Sequence, residues 1–444
     1  MQIARWYFVA LLCIPFYIGP SLATNAQLNA ERLLVVLLVF AFFTRVVNLR
    51  FGHSFKELYS ARPLTLMAFI FYFSWRGLAA ALSPQTVSML LFINEFMTEV
   101  FMAFVFYGFF FVKDYTDPLI KVLKASVVFI FAIVCLEIVL KQNPFSAFAP
   151  ADAGNAIKAA AIERAGLIRA KGTFEHPLTL AYFVISVLPF FLFGDRARGF
   201  THRRLFVLGL VLIGVATGSR TALGMMFVEL VVYVLISKPA FGFNAKRLDA
   251  RLVLIPAVLL LLPLIIMLAE QRAGASLLQS NARTAQLTNG LIAIWNQPWF
   301  GYGQGQGPTQ AIETAMKYGE GSIYMWEENF NTIDNWFLSV ALSSGLPSLI
   351  AFVAYLFAVV VPPIVLVTSA KVRVQMRDNT HLGLVYALIL SCAAQMGFMA
   401  ILSIFTLHPL YFIFSFWLIS LHILYARMRQ RDQKPLPFSV QKLQ

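Results

Sequence analysis

Long runs of apolar residues, each closed by a short polar connection, repeat along most of the chain. An apolar helix of about 20 residues crosses a hydrocarbon core of about 30 Å, and runs of that length are the clearest signal a sequence carries. They predict spans near 6–20, 32–47, 64–82, 88–112, 120–140, 177–193, 204–218, 221–237, 252–269, 346–368, 382–404 and 409–426. The expected fold class is an all-α polytopic membrane protein with about twelve transmembrane helices. One long polar interval, from about Glu270 to Asn335, interrupts the alternation. It predicts a large loop containing short helices, because LTNGLIAIW within it sets Leu287, Leu291 and Trp295 on one helical face, a stripe suited to a membrane surface. The chain divides into 1–140 with the first five helices, 141–269 with an outer segment and the next four, the loop 270–345, the last three helices over 346–426, and a basic tail at 427–444.

Charge adds the orientation. The chain is 59% hydrophobic and 13% charged with a net charge of +14, so the placement of the cations matters more than their number. With the N-terminus inside, one side of the membrane holds Arg45, Arg50, Lys56 and Arg62, then Lys113, Lys121 and Lys124, then Arg196, Arg198, Arg203 and Arg204. The same side continues with Lys238, Lys246, Arg247 and Arg251, then Lys371, Arg373 and Arg377, then the tail with Arg427, Arg429 and Arg431. The opposite turns at Ser83-Pro84-Gln85 and Leu407-His408-Pro409 hold none. Cytoplasmic loops concentrate Lys and Arg. Both termini are therefore expected in the cytoplasm, and the loop in the periplasm of a bacterial inner membrane. Orientation accounts for the basic excess, and no nucleic-acid partner is implied. Cys13, Cys135 and Cys392 fall singly in apolar runs without metal or disulfide spacing and read as core residues. The opening MQIARWYFVALLCIPFYIGPSLA reads as an uncleaved first span, with a cleavable signal peptide as the alternative.

Some cations are not asked for by orientation, and these point to an anionic ligand. They include Lys141, Lys158, Arg164, Arg169 and Lys171 before the sixth span, Arg220 between the seventh and eighth, and Arg272 and Arg283 in the loop. Arg220 stands in TGSRTALG, where a Gly/Ser turn exposes backbone N–H groups beside a planar guanidinium suited to phosphate. A snorkelling interfacial arginine is the plainer reading. Arg169 and Lys171 in RAKGTFEHPLTLAYF form a second candidate pair for a diphosphate, and His176 there could take a proton from a sugar hydroxyl. Asp334, in the pair Asp334-Asn335, reads equally as the N-cap of the next helix or as a carboxylate base toward an acceptor hydroxyl. Gly301, Gly303, Gly305 and Gly307 permit turns or close approach to a ligand, without the Lys-Ser/Thr of a nucleotide loop. Trp295, Trp299, Tyr302 and Trp326 could stack on sugar faces. Within the spans, Arg76 is expected to pair with Glu95 and Glu99, spaced i, i+4, while Glu137 and Glu229 show no evident partner.

Taken in order, these elements resemble one family. Arg169-x-x-Gly172-x-Phe174-x-His176-Pro177, then Thr217-Gly218-Ser219-Arg220, then Arg283 followed by Trp295, Pro298, Gly301 and Gly303, then Asp334-Asn335 with Gly345 a helix later, resembles the O-antigen ligase and polysaccharide polymerase superfamily over roughly 165–360. The resemblance implies a twelve-helix fold with a large periplasmic loop. It implies a metal-independent glycosyltransferase that needs no cofactor and takes its glycan from undecaprenyl diphosphate rather than from a nucleotide sugar. Arg220 and Arg283 would hold the diphosphate, with Arg169 as a third. Ligases of the family commonly carry His-Asn where this chain has Asp334-Asn335, and Asp there resembles repeat-unit polymerases. Asp334 would then be the base, or His176 in its place. Polymerisation of lipid-linked repeat units is the favoured reading, with ligation to lipid A core or a polysaccharide-lipid transporter or flippase as alternatives. The implied partners are the undecaprenyl-diphosphate-linked glycan donor, a glycan acceptor, membrane lipids, and the pathway's chain-length regulator and flippase.

Overall fold

The computed structural model describes residues 2–15, 17–18, 21–23, 26–27, 29–46, 50–113, 116–148, 162–164, 167–194, 202–236, 256–257, 260, 277–318, 333, 335–368, 381–401 and 407–433. Its elements begin with α1 (Gln2–Cys13), a ribbon of β1 (Ser21–Ala23) and β2 (Ala26–Gln27), α2 (Ala30–Val46), α3 (Arg50–Ala61), α4 (Pro63–Leu82), α5 (Thr86–Glu95), α6 (Met102–Lys113) and α7 (Thr116–Leu140). A second antiparallel ribbon, β3 (Ile162–Arg164) with β4 (Leu167–Arg169), precedes α8 (Pro177–Phe193), α9 (Arg203–Ala216) and α10 (Arg220–Ile236). The long polar interval holds α11 (Leu277–Asn296) and α12 (Gly307–Tyr318), and α13 (Trp336–Thr368), α14 (His381–Met399) and α15 (His408–Gln433) complete the order.

The chain is an α-helical membrane protein. Six of the described helices are long and apolar enough to cross a bilayer: Pro63–Leu82, Thr86–Gly108, Thr116–Leu140, Trp336–Thr368, Leu382–Met399 and His408–Ala426. Their outward residues, such as Leu90, Val139 and Ile350, are apolar and well exposed, as surfaces that face lipid are. One apolar core joins α4, α6, α8, α10, α13, α14 and α15, with α13 lying along α4 and α14 along α8. A smaller cluster joins α11 and α12 to the first turns of α13. The span expected at 252–269 falls almost wholly outside the described residues. One expectation is corrected. The first apolar helix stops at Cys13, two residues before Pro15, instead of running to residue 20. The connection after the second span contains the helix α3, which buries Leu58 and exposes Tyr59 and Lys56.

Of the cysteines, Cys392 is buried and Cys13 half-buried, as core residues should be, but Cys135 is exposed on α7.

The intramembrane charges pair as the i, i+4 spacing suggests, with one refinement. Arg76 meets both carboxylate oxygens of Glu95 at 2.6 Å. Glu99 sits instead beside His408, 3.8 Å from its Nδ1. A π-helical turn, Phe96–Phe101, joins α5 to α6 immediately after Glu95 and alters the facing of the two carboxylates.

The glycine series serves as a strap. α13 is broken at Gly345, whose φ of 82° and ψ of 173° no other residue type adopts readily. A break leaves carbonyls of the first half and N–H groups of the second without helical partners. The segment 298–303 supplies them: Tyr302 N–H donates to Leu342 O at 2.7 Å, Gly303 N–H to Ser343 O at 3.1 Å, and Pro298 O accepts Leu346 N–H at 2.7 Å. Positive φ at Gly301, Gly303 and Gly305 lets the strap follow this notch. It continues to Gln304, whose N–H donates to Ser88 Oγ at 2.8 Å and whose side chain donates to Glu95 at 2.8 Å. The loop is thereby tied to α5 and, through Arg76, to α4.

Candidate active site

The turn that carries Arg220 is built by short-range hydrogen bonds. After α9, Thr217 Oγ1 donates to the Gly214 carbonyl at 2.7 Å, and Gly218 takes a φ of 59°. Ser219 caps α10, its Oγ accepting the Ala222 N–H at 3.3 Å. Arg220 is then the first residue of α10, half-buried at the positive end of the helix. β4 leads the chain against this turn. Ala170 N–H donates to Ala216 O at 2.9 Å, and Arg169 donates through Nε to Thr217 O, also at 2.9 Å. A Cβ on Gly218 would stand 3.1 Å from Arg169 Cγ, so the Arg169 stem lies over the Gly218 backbone. Two arginines thus share one turn at a helix start, an arrangement that suits a phosphate-bearing ligand.

The segment after Arg169 is held by groups that sequence reasoning did not connect. Glu137, expected to lack a partner, accepts Gly172 N–H at 2.7 Å and Lys171 N–H at 3.1 Å. Asn143 donates to Gly172 O at 2.7 Å, and Thr173 donates to Leu12 O at 2.8 Å. The ends of α7 and α1 therefore set the height of the loop that delivers Arg169. Lys171 is only 5% exposed beside Glu137; burial lowers its pKa, against the raising effect of that carboxylate. Arg169 reaches the Arg220 turn, while Lys171 is buried beside Glu137.

His176 Nδ1 accepts the Leu178 N–H at 3.1 Å and so caps α8, with Pro177 at the first helical position. A neutral imidazole whose Nδ1 accepts carries its proton on Nε2. The cap gives His176 a structural role at the start of α8. His176→Asn, which preserves a cap, is expected to leave glycan transfer unchanged, whereas His176→Leu lowers stability by about 1 kcal/mol. Thermal unfolding of both variants beside a transfer assay checks this.

Asp334 lies outside the described residues, and Arg283 is described in its backbone alone, on α11. Asn335 is informative. It caps α13, its Oδ1 accepting Leu338 N–H at 3.1 Å, and its Nδ2 donates to Ala400 O at 2.7 Å, just past the end of α14. The N-cap role weighed for Asp334 therefore belongs to its neighbour. α14 also touches α10 near this end, because the Met225 methyl packs on Gly397 and would stand 2.7 Å from a Cβ there. Met225 is in the second turn of α10 and Gly397 one turn before Ala400. The C-terminal end of α14 meets the Arg220 helix through Gly397 and Asn335 through Ala400.

α11 exposes Leu287, Leu291 and Trp295, the stripe that the sequence predicts, and buries Gly290 and Ala293 on its other face, where Leu338 of α13 covers Gly290. Trp299 is exposed as well, Tyr302 donates its hydroxyl to Ala293 O at 2.9 Å, and Trp326 lies outside the described residues. Over residues 205–353, from α9 into the second half of α13, the chain matches the family model described as O-antigen ligase, about a third of its length. No curated protein matches the chain.

Proposed function

Taking membership of the O-antigen ligase and polymerase superfamily over that stretch as the premise, we propose that the chain is a membrane glycosyltransferase that polymerises undecaprenyl-diphosphate-linked repeat units at the periplasmic face of the inner membrane. The observation that supports this reading is that the C-terminal end of α14 takes α10, the helix that starts at Arg220, through Met225 against Gly397, and Asn335 through its bond to Ala400. The acceptor hydroxyl gives its proton to the Asp334 carboxylate as its oxygen attacks the anomeric carbon of the donor. The bond from that carbon to the diphosphate oxygen breaks, and undecaprenyl diphosphate leaves with the bonding electrons. Arg220, Arg169 and Arg283 hold the diphosphate and balance the charge that grows on it. With Asn335 capping α13, the Asp334 carboxylate is not required for that task.

Twelve spans with cytoplasmic termini bring the loop 270–345 and the 141–172 segment to the donor's side of the membrane. A transporter is the weaker reading, because Glu95, which ion coupling would use, is engaged by Arg76 at 2.6 Å and by Gln304 at 2.8 Å. The test is transfer by purified protein in nanodiscs supplied with the lipid-linked repeat unit. A ladder of products from the repeat unit alone is expected, reduced about 10²–10⁴-fold by Asp334→Asn, the usual range for loss of a general base. Product that forms only after lipid A core is added would make the protein a ligase. No product in either case would move the assignment to transport.

A further inference from the structure

A cavity lies between the α4–α5 turn, the end of α11, the glycine strap and α12. Its volume is about 700 Å³, inside the range of about 300–1,000 Å³ usual for ligand sites. In a chain of net charge +14, none of the described residues that line it is charged. Its polar surface is made of amides and hydroxyls, with Gln85, Asn296, Gln297 and Gln310 foremost. The side-chain amides of Asn296, Gln297 and Gln310 make no hydrogen bond among the described residues. Phe300 adds a flat wall, held against Trp75 at 5.2 Å with 3° between the rings, while the Trp75 indole N–H donates to Trp299 O at 2.9 Å.

This chemistry selects its ligand. A diphosphate would meet no cation among the described lining residues, and a lipid tail would cover amides and leave them unpaired. Sugar hydroxyls match side-chain amides, each of which offers both a donor and an acceptor, and the C–H face of a pyranose suits the Phe300 wall. Arg283 and Asn296 stand on the same helix, about 20 Å apart at 1.5 Å per residue. If Arg283 holds the diphosphate as proposed, the sugars received here are not the ones that react.

We propose that this cavity is a binding subsite for uncharged glycan residues remote from the reacting sugar. The proposal rests on the glycosyltransferase reading and can fail separately from it. The far end of the donor glycan and the growing acceptor chain share this chemistry. The probe is oligosaccharide released from the cell's own polymer by mild acid, free of lipid and diphosphate, with binding to the protein in nanodiscs followed by saturation-transfer NMR. Binding is expected to wild type and to Arg283→Ala, and to weaken about tenfold or more in Asn296→Ala/Gln310→Ala, as the loss of two ligand hydrogen bonds predicts. Thr314→Trp, which fills the cavity, should also abolish it. A rise in KM for donor or for acceptor alone in the double variant then identifies which chain is held. Undiminished binding in both cavity variants, or no binding to wild type that does transfer glycan, would overturn the subsite and leave the transferase reading standing. Binding without any transfer would do the reverse.

Discussion

Arg220→Ala is expected to abolish polymer in cells and to slow transfer by the purified protein about 10²–10³-fold, the loss typical when one preorganised charge-stabilising group is removed. In the proposed reaction the leaving diphosphate gains charge as the glycosidic bond breaks, and a guanidinium fixed at the start of α10 would meet that charge without reorganising. Its position is set by the Ser219 cap and by the Arg169 contact with Thr217, both of which survive truncation at Arg220. Arg220 is half-buried at a helix end, so the variant should reach the membrane in normal amount. Arg220→Lys should restore little, because an ammonium offers a point charge where a planar fork is needed. Immunoblots of the membrane fraction beside polymer gels decide the matter. Wild-type polymer from Arg220→Ala would remove the arginine from the diphosphate site.

Gly345→Ala should have the largest effect on stability. A Cβ there would collide with the carbonyl oxygen of Trp299, and φ of 82° with ψ of 173° is a conformation only glycine holds at low cost. Either the strap leaves the notch, exposing the ends that Pro298, Tyr302 and Gly303 now satisfy, or α13 closes its break. Both cost about 3 kcal/mol or more, from backbone strain and lost buried hydrogen bonds together. Limited proteolysis in nanodiscs should show rapid cleavage near the strap and loss of transfer, with the membrane spans intact. Gly224→Ala is the control, since nothing lies within 4 Å of a Cβ at that position. Equal protease resistance of the two variants would show that the strap does not depend on Gly345.

The apolar spans were legible because lipid imposes a long, unbroken signal that needs no tertiary context. The pairing of Arg76 with Glu95 was legible for a related reason, since opposite charges at span depth have few other ways to be satisfied. Glu137 was opaque because its partners are backbone N–H groups more than thirty residues away, which no side-chain pattern announces. The His176 cap left a trace in the sequence, since Pro177 marks the first helical position and the residue before it is the cap. Asp334 and Asn335 are both good caps, and the choice between them turns on a one-residue register that only the α14 contact fixes. The uncharged cavity was invisible in sequence because it is assembled from two distant stretches, 79–85 and 292–315, with each amide unremarkable alone.

The break in α13 also acts as a depth gauge. From Leu346 to Thr368 the helix is about 35 Å long, against a hydrocarbon thickness of about 30 Å. The segment that begins after Gly345 is thus long enough to cross the bilayer by itself, which would set Gly345 and the strap hydrogen-bonded there at its edge. A lipid-linked diphosphate takes its own altitude from the headgroup layer in which its tail is rooted. Under the proposed function, vertical registration of enzyme and substrate is supplied by the membrane, leaving only lateral encounter to diffusion.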